Sequence, residues 1–493
     1  MQFMPARTLS KWLLVCLLLG CVLVIVMWMF SADEAQNNSQ YDNLWIDNVT
    51  QLNPVRVAQV IVPTTTEEII AAITQTTGPV SIGGGRYSQG GQVAYPDSLH
   101  IDMRQFKQVL VFDKNKKQIT VQAGIRWRDI QDYIDPYNLS LKIMQTYANF
   151  TVGGSLSVNV HGRYVGEGPL VKSVESIKLI LANGELKTAS PSENSELFFA
   201  AIGGYGGIGV IVEATLQLEE NQKVARRDMS MPVSEYKQFF FEHIRDDISA
   251  VFTNADIYPP AYEKLRSVTW YNTQLPLTEE ARLIPRDAQY YWGPKVIDWI
   301  ADYDIGLWLR EHVIDPFIYT SSPVVWRNYE ASYDVRELEP ANRITTTYAL
   351  REYFVPVEKF DEFVPKMRAI FQNYDATIIN VSVRHAHQDP GTLLAWAKTE
   401  VFAFVVYYRQ ETSSEAQKVV ELWTRSMNDA AIELGGAYYL PYQVYETPAQ
   451  FMAAYPRSQE FFALKKAVDP LYRFRNQLWA KVYVENDNVL VNQ

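Results

Sequence analysis

Three glycine-dense stretches constrain this chain more than anything else in it. They are Gly83-Gly84-Gly85-Arg86-Tyr87-Ser88-Gln89-Gly90-Gly91, then Val152-Gly153-Gly154-Ser155-Leu156-Ser157-Val158-Asn159-Val160-His161-Gly162, then Gly203-Gly204-Tyr205-Gly206-Gly207-Ile208-Gly209-Val210-Ile211. Each stands where an extended run gives way to a turn. Glycine lets the main chain approach a ligand closely and adopt conformations closed to other residues, so successive amides can converge on anionic oxygens. One such loop is usually only a turn. Three within about 130 residues, each joined to a strand or a helix, point to a single large anionic ligand.

The nucleotide fingerprint of doubly wound folds fits poorly. No phosphate-binding helix is expected after the first loop, and no ribose-binding carboxylate stands about 20 residues beyond it. The loop also lacks the lysine of a triphosphate site. A different dinucleotide-binding fold is implied.

Around these loops, strands and helices alternate without a strict βαβ rhythm, which predicts an α+β fold. Thr64-Thr65-Thr66-Glu67-Glu68 before an apolar-periodic run predicts a helix ending by Thr77-Gly78-Pro79. Runs at 108–112 and 118–121 predict strands, 127–133 a helix, and Asn183-Gly184 a hairpin turn. From about residue 222 glycine becomes scarce and aromatic residues cluster. Strands at 345–355, 377–385 and 400–409 and a helix over 413–434 then predict a second domain built on an antiparallel sheet. Residues 272–339 fit it least well and read as an insertion. Within it, Trp292, Val296, Trp299, Ile300, Tyr303, Leu307, Val313, Ile314 and Phe317 fall partly at helical spacing. That stripe suits packing against the second domain, with a membrane contact as the alternative.

The net charge of −11, with no long Lys/Arg block, argues against a nucleic-acid partner. Residues 12–30 carry no charge, and as a helix they would nearly match a bilayer core. Against a cleaved signal peptide stand the length of this run and the lack of a small-residue cleavage pattern before Met27. A lipoprotein site at Leu18-Leu19-Gly20-Cys21 is disfavoured by the nine apolar residues that follow. Arg7 and Lys11 precede the run while Asp33 and Glu34 follow it, so the amino-terminal tail is expected in the cytoplasm and the main domain on the outer side. Both cysteines, Cys16 and Cys21, lie in this run, which leaves no disulfide, thiolate nucleophile or cysteine metal site elsewhere. No metal is expected: His385 and His387 lack further ligands. The expected organisation is an anchor over 1–31, a polar linker over 32–52, a ligand-binding domain over 53–219, a substrate or cap domain over 220–460, and a closing segment over 461–493.

The glycine stretches, in this order and spacing, carry a resemblance. Together with SENSELFFAAIGGYGGIGVIVEATL they make residues 54–218 resemble the FAD-binding domain of the vanillyl-alcohol oxidase and p-cresol methylhydroxylase superfamily. The resemblance implies FAD, with main chain from Gly84, Gly85, Arg86, Tyr87 and Ser88 on the pyrophosphate. It implies Gly153, Gly154, Ser155, Ser157, His161 and Gly162 beside the flavin and ribityl chain. Gly204, Gly207, Gly209, Val210 and Ile211 would reach the adenosine half. Many relatives bond a first-loop histidine to the flavin; this chain has Tyr87 there, a far weaker nucleophile near neutrality, so the FAD is expected to be non-covalent.

Residues 461–479 are similar to the closing helix and loop of sugar-lactone and alditol oxidases, where the carboxyl terminus returns to the flavin domain. Leu350 to Pro356 and Asn380 to His385 resemble the cap strands facing the flavin in that branch. Alternation sets Asn380, Ser382 and Arg384 on one face and Val381, Val383 and His385 on the other. Arg384 is a candidate to orient an alcohol and Glu352 to accept a proton, with Lys398 and His385 in reserve. The resemblance implies oxidation of a CH–OH group of a polyol, sugar or sugar lactone, free or lipid-linked, with oxygen or a membrane component as final acceptor. Alternatives are a reductase of a lipid or sterol-like alkene and a non-catalytic flavin-binding membrane protein.

Overall fold

The helix predicted after Pro63 forms because its first turn is capped from both directions. Thr65 accepts from the Glu68 amide while Glu68 accepts from the Thr65 amide. In the computed structural model, which describes residues 43–289, 292–302, 304–339 and 343–483, this is helix α1 (Thr66–Gln75). Before it lie β1 (Trp45–Ile46), β2 (Val55–Arg56) and β3 (Gln59–Ile61); after it come β4 (Val80–Gly83) and β5 (Leu99–Asp102). Strands β3, β5 and β4 form a parallel sheet. On α1, Ile69 and Ile73 are one turn apart and fully buried.

Two hairpins build a second, antiparallel sheet: β6 (Val109–Asp113) with β7 (Gln118–Gln122), and β9 (Val174–Ile180) with β10 (Leu186–Ala189). Between them come α2 (Trp127–Ile134), β8 (Leu139–Leu141) and α3 (Val152–Val158). After α4 (Ser195–Ala201), β11 (Val210–Glu220) runs between β9 and β7 and closes the sheet in the order β10-β9-β11-β7-β6. The second glycine stretch is thus a helix, not a turn. Gly153 lets α3 pack on β7, since a Cβ there would stand 2.9 Å from that of Ala123.

The remaining chain makes an eight-stranded antiparallel sheet, ordered β15-β12-β14-β13-β17-β18-β16-β19. Its strands are β12 (Lys223–Pro232), β13 (Ala250–Ile257), β14 (Lys264–Asn272), β15 (Val324–Trp326), β16 (Thr346–Pro356), β17 (Ile378–Ala386), β18 (Val401–Glu411) and β19 (Ala437–Tyr438). Helices α5 (Val233–His243), α10 (Phe360–Asn373) and α11 (Ser414–Glu433) belong to this half, while the insertion contributes α6 (Trp292–Asp302), α7 (Asp304–Leu309), a π turn (Arg310–Ile314), α8 (Asp315–Ile318) and α9 (Arg327–Glu330). Phe354 of β16 stacks on Trp396 at 4.2 Å, both almost wholly buried. Truncating either ring to Ala would cost about 3–5 kcal/mol.

The chain end, α12 (Pro448–Ala454) and α13 (Ser458–Val468), leads back to β4: the Val80 amide donates to the Arg473 carbonyl and the Arg475 amide to the Val80 carbonyl. Two expectations are corrected. Residues 43–52, assigned to the polar linker, are packed: β1 pairs with β2, Ile46 is buried, and the Thr50 carbonyl accepts from Thr347 Oγ1. The stripe in the insertion divides between two faces: Ile300 packs on Tyr348 and Ile379, whereas Val313 and Phe317 are exposed. Among the described residues no helix is long and apolar enough to cross a membrane, and the run 12–30 lies outside them.

Candidate active site

Between the glycine-bearing segments and the cap sheet lies a cavity of about 240 Å³. One side is the loop after β4, where Gly84, Gly85, Arg86, Tyr87 and Ser88 reach the surface of the cavity. A Cβ on Gly84 would fall 2.2 Å from Thr151 Oγ1, so any side chain there would displace the Thr151 hydroxyl. A second side is α3, through Gly153, Gly154, Ser155 and Ser157, continued by His161. The loop before β11 adds Gly209 and the start of that strand Ile211, and the cap supplies Glu352 from β16 and Arg384 from β17. Residues from both sequence-distant halves therefore meet at one space.

Four predicted residues stand behind the wall. A Cβ on Gly204 would meet the Ala200 carbonyl at 2.1 Å, one on Gly207 the Trp479 indole at 2.8 Å, and one on Gly162 the Met144 carbonyl at 2.2 Å. These glycines admit close main-chain packing, and Val210 is fully buried in β11. Their neighbours Tyr205, Gly206 and Ile208 line the cavity instead.

The polar centre is a buried triad of contacts. His161 Nε2 lies 2.5 Å from Glu352 Oε1, and Tyr442 Oη donates to Glu352 Oε2 at 3.0 Å. His161 Nδ1 faces the Gly162 carbonyl at 3.2 Å, which can only accept, so this contact assigns a hydrogen to Nδ1. Burial would raise the Glu352 pKa, but His161, Arg384 and Tyr442 outweigh it and hold the carboxyl below its ordinary range. Burial drives the Tyr442 phenol well above its usual value, and the Glu352 charge adds to this. Burial lowers Arg384, opposed chiefly by Glu352.

The remaining candidates fall elsewhere. His385, on the opposite face of β17, bonds Glu400 at 2.7 Å, and Lys398 Nζ donates to the Gly436 carbonyl at 2.8 Å. His385, His387 and Glu400 do bring ligand atoms within 4.8 Å of one another. Arg245 already occupies Glu400 with two hydrogen bonds of 2.8 and 2.7 Å, supplying the positive charge that an ion would bring. Asn380 is held by Arg310 and Asp256, so Arg384 is the member of its strand face that reaches the cavity.

Sequence reasoning missed Tyr442. Its loop is pinned to the first glycine loop, since the Gln89 amide donates to the Pro441 carbonyl and Gln92 Nε2 to the carbonyls of Leu440 and Tyr442. The run Tyr438-Tyr439-Leu440-Pro441-Tyr442, an aromatic-rich loop after a long helix, was the available signal.

The cavity suits a large ligand with anionic and polar parts. Among the described residues, Arg86 Nε, Thr146 Oγ1 and Arg384 Nε are buried in its lining without a protein partner. Burial and Arg104 hold the Arg86 guanidinium below its ordinary value, against the pull of Asp102. An anion at the adjacent glycine amides would relieve that cost.

Residues 57–190 match a family model described as an FAD binding domain. The chain is 24% identical over 430 residues to L-gulonolactone oxidase of Mus musculus, covering 84% of this chain and 92% of that protein. It is 21% identical over 445 residues to decaprenylphosphoryl-beta-D-ribose oxidase of Mycolicibacterium smegmatis, with 84% and 92% covered. Over 158 residues it is 33% identical to the mitochondrial L-galactono-1,4-lactone dehydrogenase of Brassica oleracea, with 32% and 26% covered. The cofactor is FAD. Loops, cavity and relatives agree in supporting an FAD-linked oxidoreductase of the vanillyl-alcohol oxidase and p-cresol methylhydroxylase type, related to the sugar-lactone oxidases.

Proposed function

We propose that this protein oxidises a CH–OH group of a polyol, sugar or sugar lactone, held at a membrane by residues 12–30 with its catalytic half on the outer side. The observation that carries the reading is Glu352, a buried carboxylate bonded through both oxygens and set on the cap wall opposite the glycine segments. In this reading the amides of Gly84 to Ser88 hold the FAD pyrophosphate, α3 and His161 flank the flavin, and Gly209 and Ile211 adjoin the adenosine half. Bound there, FAD supplies a two-electron acceptor for hydride. Tyr87 leaves it non-covalent, and oxygen or a membrane component receives the electrons.

The protein's own part is alignment and proton handling. Arg384 Nε, free of protein acceptors among the described residues, donates to the substrate oxygen. Glu352 takes the hydroxyl proton. A carboxylate held below its ordinary range is a weak base, yet it suffices here because a hydroxyl becomes strongly acidic as hydride leaves its carbon. Tyr348, Tyr407 and Tyr442 of the cap line the cavity beside Tyr147, their hydroxyls held by Asp298, the Leu338 carbonyl and Glu352. The names of the full-length relatives, oxidases of a sugar lactone and of a ribose derivative, support the proposed substrate class.

The test is a panel of polyols, aldoses, aldonolactones, NADH and NADPH added to purified protein without oxygen. Bleaching of the flavin by a polyol, sugar or lactone is expected. In Arg384→Ala, flavin content stays unchanged and that reduction slows by about 10²-fold. Bleaching only by the nicotinamides would establish the reductase alternative, and no bleaching the non-catalytic one.

A further inference from the structure

The insertion carries its polarity inside out. Across α7, the π turn and α8, Ile305, Trp308, Val313, Phe317 and Ile318 are each at least half exposed, Phe317 at 76%. Arg310 and Asp315 of the same segment turn inward. Arg310 donates to the Ile379 carbonyl and to Asn380 Oδ1, and Asp315 accepts from Tyr258 Oη at 2.9 Å. Glu311 is met by Lys264 at 3.6 Å, and His312 lies stacked on Trp308 at 4.6 Å. A helical segment that buries its ions and offers indole, phenyl and branched aliphatic groups outward is built to face an apolar partner.

The course of the chain says which partner. The amino-terminal segment meets β16 where the insertion packs on it: the Thr50 carbonyl accepts from Thr347 Oγ1, and the next residue of β16, Tyr348, packs against Ile300 of α6 and donates to Asp298. Between Phe30, the end of the uncharged run, and Asn43 lie 12 residues, which fully extended span about 40 Å. That reach is long enough for a bilayer holding residues 12–30 to meet the exposed face. We propose that the face formed by Ile305, Trp308, Val313, Phe317 and Ile318 seats on the lipid surface as a second contact beside the anchor. This inference rests on the membrane-anchored reading above and is independent of the chemistry proposed for Glu352 and Arg384.

The test uses the full-length chain with Cys16→Ser and Cys21→Ser, carrying Phe317→Cys labelled with an environment-sensitive fluorophore. A companion protein carries the label at Ile248→Cys, on the exposed loop at the other end of β13 from Tyr258. Both are reconstituted in vesicles of phosphatidylcholine and phosphatidylglycerol containing a doxyl-labelled lipid. The expected result is flotation of both proteins with the vesicles, with blue-shifted and quenched emission at 317 but not at 248. Flotation without quenching at 317 overturns the docking alone, as does disulfide crosslinking between two copies of the unlabelled Phe317→Cys protein in the same vesicles when its labelled counterpart shows no lipid quenching. Failure to float overturns anchor and docking together. The visible flavin spectrum of the same samples reports folding and cofactor binding separately.

Discussion

His161 follows the glycine helix α3 and Glu352 sits mid-strand in the cap, 191 residues away, yet their side chains meet at 2.5 Å. This contact fixes the cap carboxylate against the cofactor side of the cavity. Both side chains are buried.

Glu352→Gln keeps the side-chain shape and removes the charge. Substrate-dependent flavin reduction is expected to fall by about 10²–10⁴-fold with flavin content unchanged. Rapid-reaction spectroscopy checks this; a rise in KM alone, with the limiting rate intact, would assign Glu352 to binding rather than proton transfer.

Tyr87 packs on Phe150 at 4.2 Å, and burial, reinforced by Glu339, pushes its phenol up to about 12. So little phenolate exists near neutrality that no flavin bond is expected to form. Acid precipitation should leave the yellow colour in the supernatant, and colour retained by the pellet contradicts the account.

His100 is fully buried, with Nδ1 3.0 Å from Ser81 Oγ, and burial together with Arg86 presses its pKa down to about 3. The unfolded chain takes up this proton near 6.5 while the folded chain does not, so stability falls as pH drops from 6.5 toward 3. Between pH 7 and 4.5 the term is about 2–3 kcal/mol, at about 1.4 kcal/mol per pH unit. Urea unfolding of His100→Gln should show a pH dependence shallower by that amount. An identical dependence would mean that His100 is protonated in the folded state.

Lys465 Nζ donates to the Gly207 carbonyl at 2.7 Å, to the Phe474 carbonyl at 3.0 Å and to Asp469 at 3.2 Å, with both charged side chains fully buried. It ties the closing segment to the third glycine loop. Lys465→Met leaves Asp469 without its counter-charge and is expected to cost about 3–5 kcal/mol and to weaken FAD retention. Denaturant titration with and without added FAD measures both, and unchanged FAD affinity would separate the lysine from the cofactor loop.

Much of this was legible where the determinant is local. The Thr65–Glu68 capping box marks α1 from five consecutive residues, and simple alternation along β17 turns Arg384 to the cavity and His385 away from it. Partnership across distant segments was not legible. Gly204 and Gly207 look like ligand-binding glycines in sequence but serve packing against Ala200 and Trp479, which no local pattern reveals. Residues 43–52 look like a polar tether because their polar groups are satisfied from afar: the Val49 amide by the Arg86 carbonyl, and the Thr50 carbonyl by Thr347. Tyr442 became a site residue only once its loop was seen pinned to Gln89 and Gln92.

The central claim is that hydride leaves a hydroxyl-bearing carbon held between Arg384, Glu352 and the FAD. Anaerobic single-turnover reduction should be followed with the best donor from the panel, unlabelled and deuterated at the carbinol carbon. The account predicts full bleaching of the flavin with reduction several-fold slower for the deuterated donor. Bleaching that is indifferent to deuterium at that carbon in a step shown to be chemical, or an absence of bleaching by any hydroxyl donor, would contradict it.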